Sequence, residues 1–139
     1  MAKSARSAND LYIEFDGLAI DTDFREFDAG IDEILVDSTA GADEVESQHY
    51  IRDTVAPTGT FLIEDSAAGV LIQAKLEQGN TGNLIWGPEG NSTGDPKWGI
   101  EARVKKANIA FSHDAEQMLD VEFVNTGREW LYDGRTDTF

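Results

Sequence analysis

The side chains able to do chemistry in this chain are acids, two histidines and a set of glycines, and their spacing argues against a reaction centre. The 139 residues include 27 Asp and Glu, 11 Lys and Arg, two His and no Cys. Without cysteine there is no disulfide framework, no thiolate-bound zinc and no thiol nucleophile. His49 and His113 lie far apart, and neither stands at a metal-ligand spacing. Asp21-Thr22-Asp23 and Asp43-Glu44-Val45-Glu46 offer oxygens to calcium, but the Asp-x-Asp-x-Asp-Gly loop is absent. Gly87, Gly90 and Gly94 lack the Gly-Lys-Ser/Thr ending of a phosphate loop, and no helical pattern follows them. Turns with positive φ explain them better. Asn91-Ser92-Thr93 matches a glycosylation sequon, which means little without a secretory route. No serine sits in a nucleophile elbow, and paired carboxylates are inevitable at this acidity. The expectation is a protein that is not an enzyme and holds no metal or cofactor.

Charge is the strongest compositional signal. The formal net charge is −16, with +2 on residues 1–9, −14 on 10–65, +1 on 66–112 and −5 on 113–139. Such a surface repels nucleic acid rather than gripping it. A solubilising face and adaptation to high salt are the bland explanations. The length suits one domain over residues 1–139, and 40% apolar content can fill a core. No apolar run approaches the ~20 residues of a membrane helix, so no membrane partner is expected. Residues 1–9 are small, polar and basic, without the apolar centre of a secretory signal, and read as a flexible N-terminal arm.

The elements that must position these residues are mostly strands. Residues 11–16 alternate, with Leu11, Ile13 and Phe15 on one face, and Leu18 to Ile20 extend the strand. Residues 24–27 and 31–36 are further strands, broken at Ala29-Gly30. Acids among these apolar residues require a wet face, which favours an antiparallel sheet. Residues 37–57 are polar, acidic and weakly patterned and read as a long loop, in which His49-Tyr50-Ile51 form an apolar point suited to a short strand or an assembly contact. Phe61 and Ile63 mark a strand at 58–64. Asp65 or Ser66 then caps a helix whose stripe is Ala67, Val70, Leu71 and Ala74, ended by Gly79. In the longest alternation, Trp98, Ile100, Ala102 and Val104 give way to Ala107, Ile109 and Phe111, a phase slip that demands a bulge near Lys105 and Lys106. Leu119, Val121 and Phe123 form the last strand of the body, and residues 127–139 are a C-terminal arm carrying Trp130, Leu131, Tyr132 and Phe139, aromatics either tucked back on the core or held for a neighbour. The fold class is mainly β: an antiparallel β-sandwich or barrel with one flanking α-helix and a long loop.

Residues 82–98 read Gly-Asn-Leu-Ile-Trp86-Gly87-Pro88-Glu89-Gly90-Asn-Ser-Thr-Gly94-Asp-Pro96-Lys97-Trp98. This block resembles the strand-loop-strand segment of tail tube (major tail) proteins of long-tailed, siphovirus-type bacteriophages and related tailed viruses: an aromatic, Gly-Pro-Glu-Gly, a spacer, Gly-x-Pro-Lys and an aromatic. The likeness is strongest over 58–127 and includes Asn125-Thr126-Gly127. It implies a structural virion protein whose hexameric rings stack into a hollow tube that conducts DNA to the host. DNA would pass through the lumen without specific binding. Other partners would be the tape measure, tail terminator and tail tip proteins, and the subunit would belong to the virion tail after assembly in the host cytoplasm. By position, 37–57 becomes a stacking loop, with His49, Tyr50, Ile51 and Arg52 in contact between rings and Trp130, Tyr132 and Phe139 joining them from the C-terminal arm. The acidity exceeds the family's habit, and a halophilic setting accounts for it. An alternative is a β-sandwich binding module that meets a glycan or virion protein through Trp86, Trp98 and Trp130. A calcium-dependent acidic domain is the other alternative.

Overall fold

The long alternation is realised as one strand that spans the body. In the computed structural model, which describes residues 10–21, 24–37, 41, 44–45, 47–63, 66–110 and 117–139, strand β8 runs over Trp98–Ala110. In chain order the strands before it are β1 (Tyr12–Phe15), β2 (Leu18–Ala19), β3 (Phe24–Asp28), β4 (Ile31–Asp37), β5 (Gln48–Val55), β6 (Thr58–Leu62) and β7 (Thr81–Gly87). Helix α1 (Ala67–Lys75) lies between β6 and β7, and β9 (Met118–Asn125) follows β8. Seven strands form an antiparallel sheet in the order β2-β1-β7-β8-β9-β6-β3, and β4 pairs only with β5 among the described residues. The N-terminal arm 1–9, Thr22, Asp23, Asp43, Glu46, Phe111 and His113 lie outside the described residues.

The phase slip in β8 is a bulge. Val104 stands opposite Phe123 and Lys106 opposite Glu122, so Lys105 has no counterpart on β9. The extra residue keeps Ile100, Ala102 and Val104 buried while turning both Lys105 and Lys106 outward.

The sheet is strongly rolled. Phe15 on β1 and Phe123 on β9 are separated by β7 and β8, which in a flat sheet means three steps, or ~14 Å. Their ring centroids are 5.3 Å apart. Phe27 on the edge strand β3 reaches Trp86 on β7 at 5.9 Å, across four steps that would span ~19 Å if flat. The strands therefore curl into an incomplete barrel around Ile13, Phe15, Leu84, Ile100, Val104 and Phe123, leaving β2 and β3 as edges.

Four local expectations change. Leu18 does not extend β1; Asp16 and Gly17, both at positive φ, turn the chain so that β2 folds back on it. Residues 37–57 are not a continuous loop, because 48–55 pair with β4. Acid-rich strands carry no alternation when both faces of their sheet are wet, so the pattern hid this strand. The helix stripe predicted to face inward faces outward: Ala67, Val70, Leu71 and Ala74 are exposed, while Gly69, Ile72 and Leu76 are buried. Both sets fit helical spacing, and the set with the bulkier inner pair covers the core. Ser66 does cap α1, accepting from the Gly69 N–H at 3.1 Å. At the other end the carbonyls of Ala74 and Lys75 are met by the Asn80 amide at 2.9 and 3.2 Å rather than by a Gly79 cap.

Candidate functional site

The β4–β5 hairpin stands apart from the rolled sheet and exposes apolar side chains. Two-stranded hairpins are marginal in water unless something covers a face. Here Ile31, Ile34, Leu35, Tyr50 and Ile51 are all solvent-facing, Leu35 at 45% and Tyr50 at 56%. Register places Leu35 opposite Tyr50 and Ile34 opposite Arg52, with Ile51 bulged between them. His49, Tyr50, Ile51 and Arg52 thus form one exposed run of β5, as a contact strand would. Ile31, Ile34 and Leu35 were not singled out from sequence. Three apolar residues within an otherwise acidic pentapeptide are the available signal, and from sequence they mark only a strand with one wet face.

One carboxylate fastens the hairpin to the body. Asp53 on β5 accepts from the Trp130 indole Nε1 at 2.9 Å and from Arg135 Nη2 at 2.7 Å. Its side chain is 9% exposed. The Trp130 hydrogen bond first, and then Arg135, hold the Asp53 carboxyl below the usual carboxylate range. Arg135 also grips Asp133 at 2.9 Å through Nε, and that bond lowers Asp133 likewise. Tyr50 is pushed up, by desolvation and then by the charge of Asp53. Between the hairpin base and the body lies an open cleft of about 530 Å³ lined by Tyr50, Arg52, Asp53, Val55, Ile100 and Trp130.

The three tryptophans pack on one another. Trp86 is 3% exposed and stacks on Trp98 with centroids 6.3 Å apart and planes 4° from parallel; Trp130 meets Trp98 edge-on at 5.1 Å. A flat aromatic platform for a ligand is therefore not presented; the indoles spend their faces on each other.

The motif of residues 86–98 serves the C-terminal segment. Gly90 and Gly94 have positive φ, as their turns require. Lys97 N–H donates to Asp137 O at 3.0 Å, Gly94 N–H to Phe139 O at 3.0 Å, and Phe139 N–H to Asp95 O at 2.9 Å. Pro96 bridges to Thr138, and Lys97 Nζ lies 3.9 Å from the centre of the Tyr132 ring. Gly87 sits against Phe139, where a Cβ would meet its ring at 2.6 Å. Pro88 is half-buried and Glu89 exposed in the turn that follows. The C-terminal residues 127–139, whose aromatics the sequence leaves either tucked back on the core or held for a neighbour, thus lie along the body as a strap. Trp130, Tyr132 and Phe139 are half-buried, Phe139 edge-on to Tyr12 at 5.8 Å. The structure separates the predicted contact residues into an exposed group on β5 and this strapped group. Among the described residues, no group of three or more His, Asp or Glu is placed to hold a metal ion.

No protein-family model matches the chain, and no curated protein matches its sequence. Solved structures do match its fold. A chain from the tail of an empty GTA particle with C6 symmetry aligns over 93% of this chain and 99% of its own, with a TM-score of 0.71 at 14% identity. A chain from the virion of a native gene transfer agent particle aligns over the same shares, with a TM-score of 0.70 at 14% identity. A chain from the six-fold symmetrised baseplate of an anti-feeding prophage covers 95% of this chain and 98% of its own, with a TM-score of 0.60 at 12% identity. The fold is thus one found, nearly end to end, in tail and baseplate chains.

Proposed function

We propose that this chain is a structural subunit of a virion tail, and that copies of it form hexameric rings stacked into a hollow tube. The observation that carries the reading is the β4–β5 hairpin: two strands that expose Ile31, Ile34, Leu35, Tyr50 and Ile51, on a body whose fold recurs in tail particles. In an assembly a neighbouring copy supplies the cover. The edge strands β2 and β3 have no outer partner among the described residues, and an open edge is a hazard in a monomer but a joint in a ring. The C6 symmetry of one matching tail suits hexameric rings.

Function follows from charge. DNA carries one charge per ~1.7 Å of axis, so a wall that lets it slide must repel it. A chain with −14 over residues 10–65 provides such a wall. The reading needs no catalysis; its partners are further copies and the other tail proteins, namely tape measure, terminator and tip. The hairpin residues His49, Tyr50, Ile51 and Arg52 are the contact between rings.

The test is electron microscopy of concentrated protein beside a Tyr50→Ser/Ile51→Asp variant, whose two side chains are exposed on the hairpin. Wild type is expected to form rings or tubes. The variant is expected to stay folded, with unchanged circular dichroism, and to fail to stack. A wild-type protein that stays monomeric even with salt and a tail-tip nucleus refutes the proposal.

A further inference from the structure

The hairpin and the C-terminal strap lie far apart in sequence, and one carboxylate oxygen joins them. Asp53 Oδ2 on β5 accepts from Trp130 Nε1 at 2.9 Å and from Arg135 Nη2 at 2.7 Å, and both donors belong to the strap. Among the described residues β4 and β5 pair only with each other, so no strand pairing ties them to the rolled sheet. Where the hairpin base approaches the body there is an open cleft, and residues 127–130 of the strap form part of its wall beside Ile100.

The bonds continue along the strap to the loop before β8. Arg135 holds Asp133 through Nε at 2.9 Å, the Asp133 N–H donates to Asp137 Oδ2 at 2.7 Å, and the Lys97 N–H donates to Asp137 O at 3.0 Å. Next to Trp130, the Leu131 N–H donates to Gly99 O and the Gly99 N–H to Tyr132 O, both at 2.9 Å. Gly134 lies so close to the Trp98 indole that a Cβ has no room. Segment 94–99 therefore holds the strap in place, and the strap holds the Trp130 donor on Asp53.

The two seats depend on each other. The Asp53 side chain is 9% exposed, so water replaces a withdrawn indole donor poorly. Arg135 is mostly exposed and screened, and links more weakly. Withdrawing Trp130 deprives the hairpin of its main fastening, and opening the hairpin deprives Trp130 of its acceptor. Such a coupling free energy is reciprocal.

We infer that the strap and the β4–β5 hairpin are one conformational unit, coupled through the Asp53–Trp130 bond, so that lifting the strap frees the hairpin while the rolled sheet stays folded. The coupling belongs to the single subunit and does not require the tail reading. Within an assembly it connects the two groups of contact residues. A neighbour that draws on Tyr132 or Phe139 loosens Tyr50 and Ile51, and one that seats the hairpin steadies the strap.

Amide hydrogen exchange of dilute, unassembled protein is the test. Gly134→Ala crowds the strap against Trp98, and Phe139→Ala removes a ring that meets Tyr12; both positions lie outside the hairpin. Each variant is expected to speed exchange along the β4–β5 ladder at least about fivefold and to leave the β8–β9 ladder unchanged. In an Asp53→Ala background the link is already cut. There the same substitutions are expected to leave hairpin exchange within about a factor of two of Asp53→Ala alone. Hairpin exchange at the wild-type rate in both strap variants overturns the coupling. Acceleration of equal size in both backgrounds overturns it as well, since the effect then bypasses Asp53. So does equal acceleration of the β8–β9 ladder, since the fold then opens as a whole. A protein that forms tubes but fails this test keeps the tail reading, and a strict monomer that passes it keeps the coupling.

Discussion

Replacing Asp53 with alanine should release the hairpin without unfolding the body. The indole of Trp130 donates to Asp53 at 2.9 Å, and the carboxylate side chain is only 9% exposed, so water replaces this bond poorly. A hydrogen bond to a charged acceptor contributes about 1.5–3 kcal/mol net. At 1.4 kcal/mol per tenfold, hairpin opening should become ~10- to 100-fold more frequent. Arg135 adds a second donor, but its side chain is 54% exposed and solvent screens it, so its loss should add little. Amide hydrogen exchange reads the effect directly: protection at the β4–β5 pairs should fall by that factor in Asp53→Ala, while β8 and β9 hold theirs. The sign of the pH dependence follows from the same bond. The folded Asp53 carboxyl lies below its unfolded value of ~3.9, so its contribution is present above about pH 4 and is lost as pH falls through the folded value. Wild-type hairpin protection should decline on acidification, and Asp53→Asn should show no such decline. Unchanged hairpin protection in Asp53→Ala, or effects of Asp53→Ala and Trp130→Phe that simply add, would refute the assignment of this bond as the hairpin's anchor.

Three further outcomes are expected. Phe123→Ala removes a ring packed on Phe15 at 5.3 Å and should cost ~3–5 kcal/mol in denaturant titration, whereas Val70→Ser on the exposed helix face should stay within ~0.5 kcal/mol. Deleting Lys105 removes the bulge yet leaves Val104 and Ala107 on the inner face in unbroken alternation; the variant should fold with near wild-type circular dichroism but fail to assemble, because the sheet loses local twist. A Cβ at Gly134 would overlap the Trp98 indole Nε1, so Gly134→Ala should lift the strap and speed exchange of the Lys97 and Phe139 amides while the core is unaffected.

What the sequence disclosed depended on whether a segment had one wet face or two. β8 and β9 each bury one face, so period-2 alternation gave their extent, and the slip at Lys105 gave the bulge. The hairpin is wet on both faces and leaves no such imprint, so β5 was read as loop although its contact residues were noticed. The helix was legible through Ser66 and its spacing, but α1 carries two interleaved apolar stripes. Spacing cannot rank them; only the space beneath Ile72 and Leu76 does. The aromatics of the last residues signalled contact without naming the surface, because strap and arm demand the same side chains. Asp53 stood among many acids and became distinctive only when Trp130 and Arg135 converged on it.

The clustering of all three indoles has a practical consequence for watching this molecule. Trp86, Trp98 and Trp130 touch one another, and the last holds the Asp53 anchor. Tryptophan emission therefore originates from a single spot at the root of the hairpin. A change in colour or intensity reports seating of the hairpin and strap, whereas events around α1, on the far stretch of β8, leave it dark.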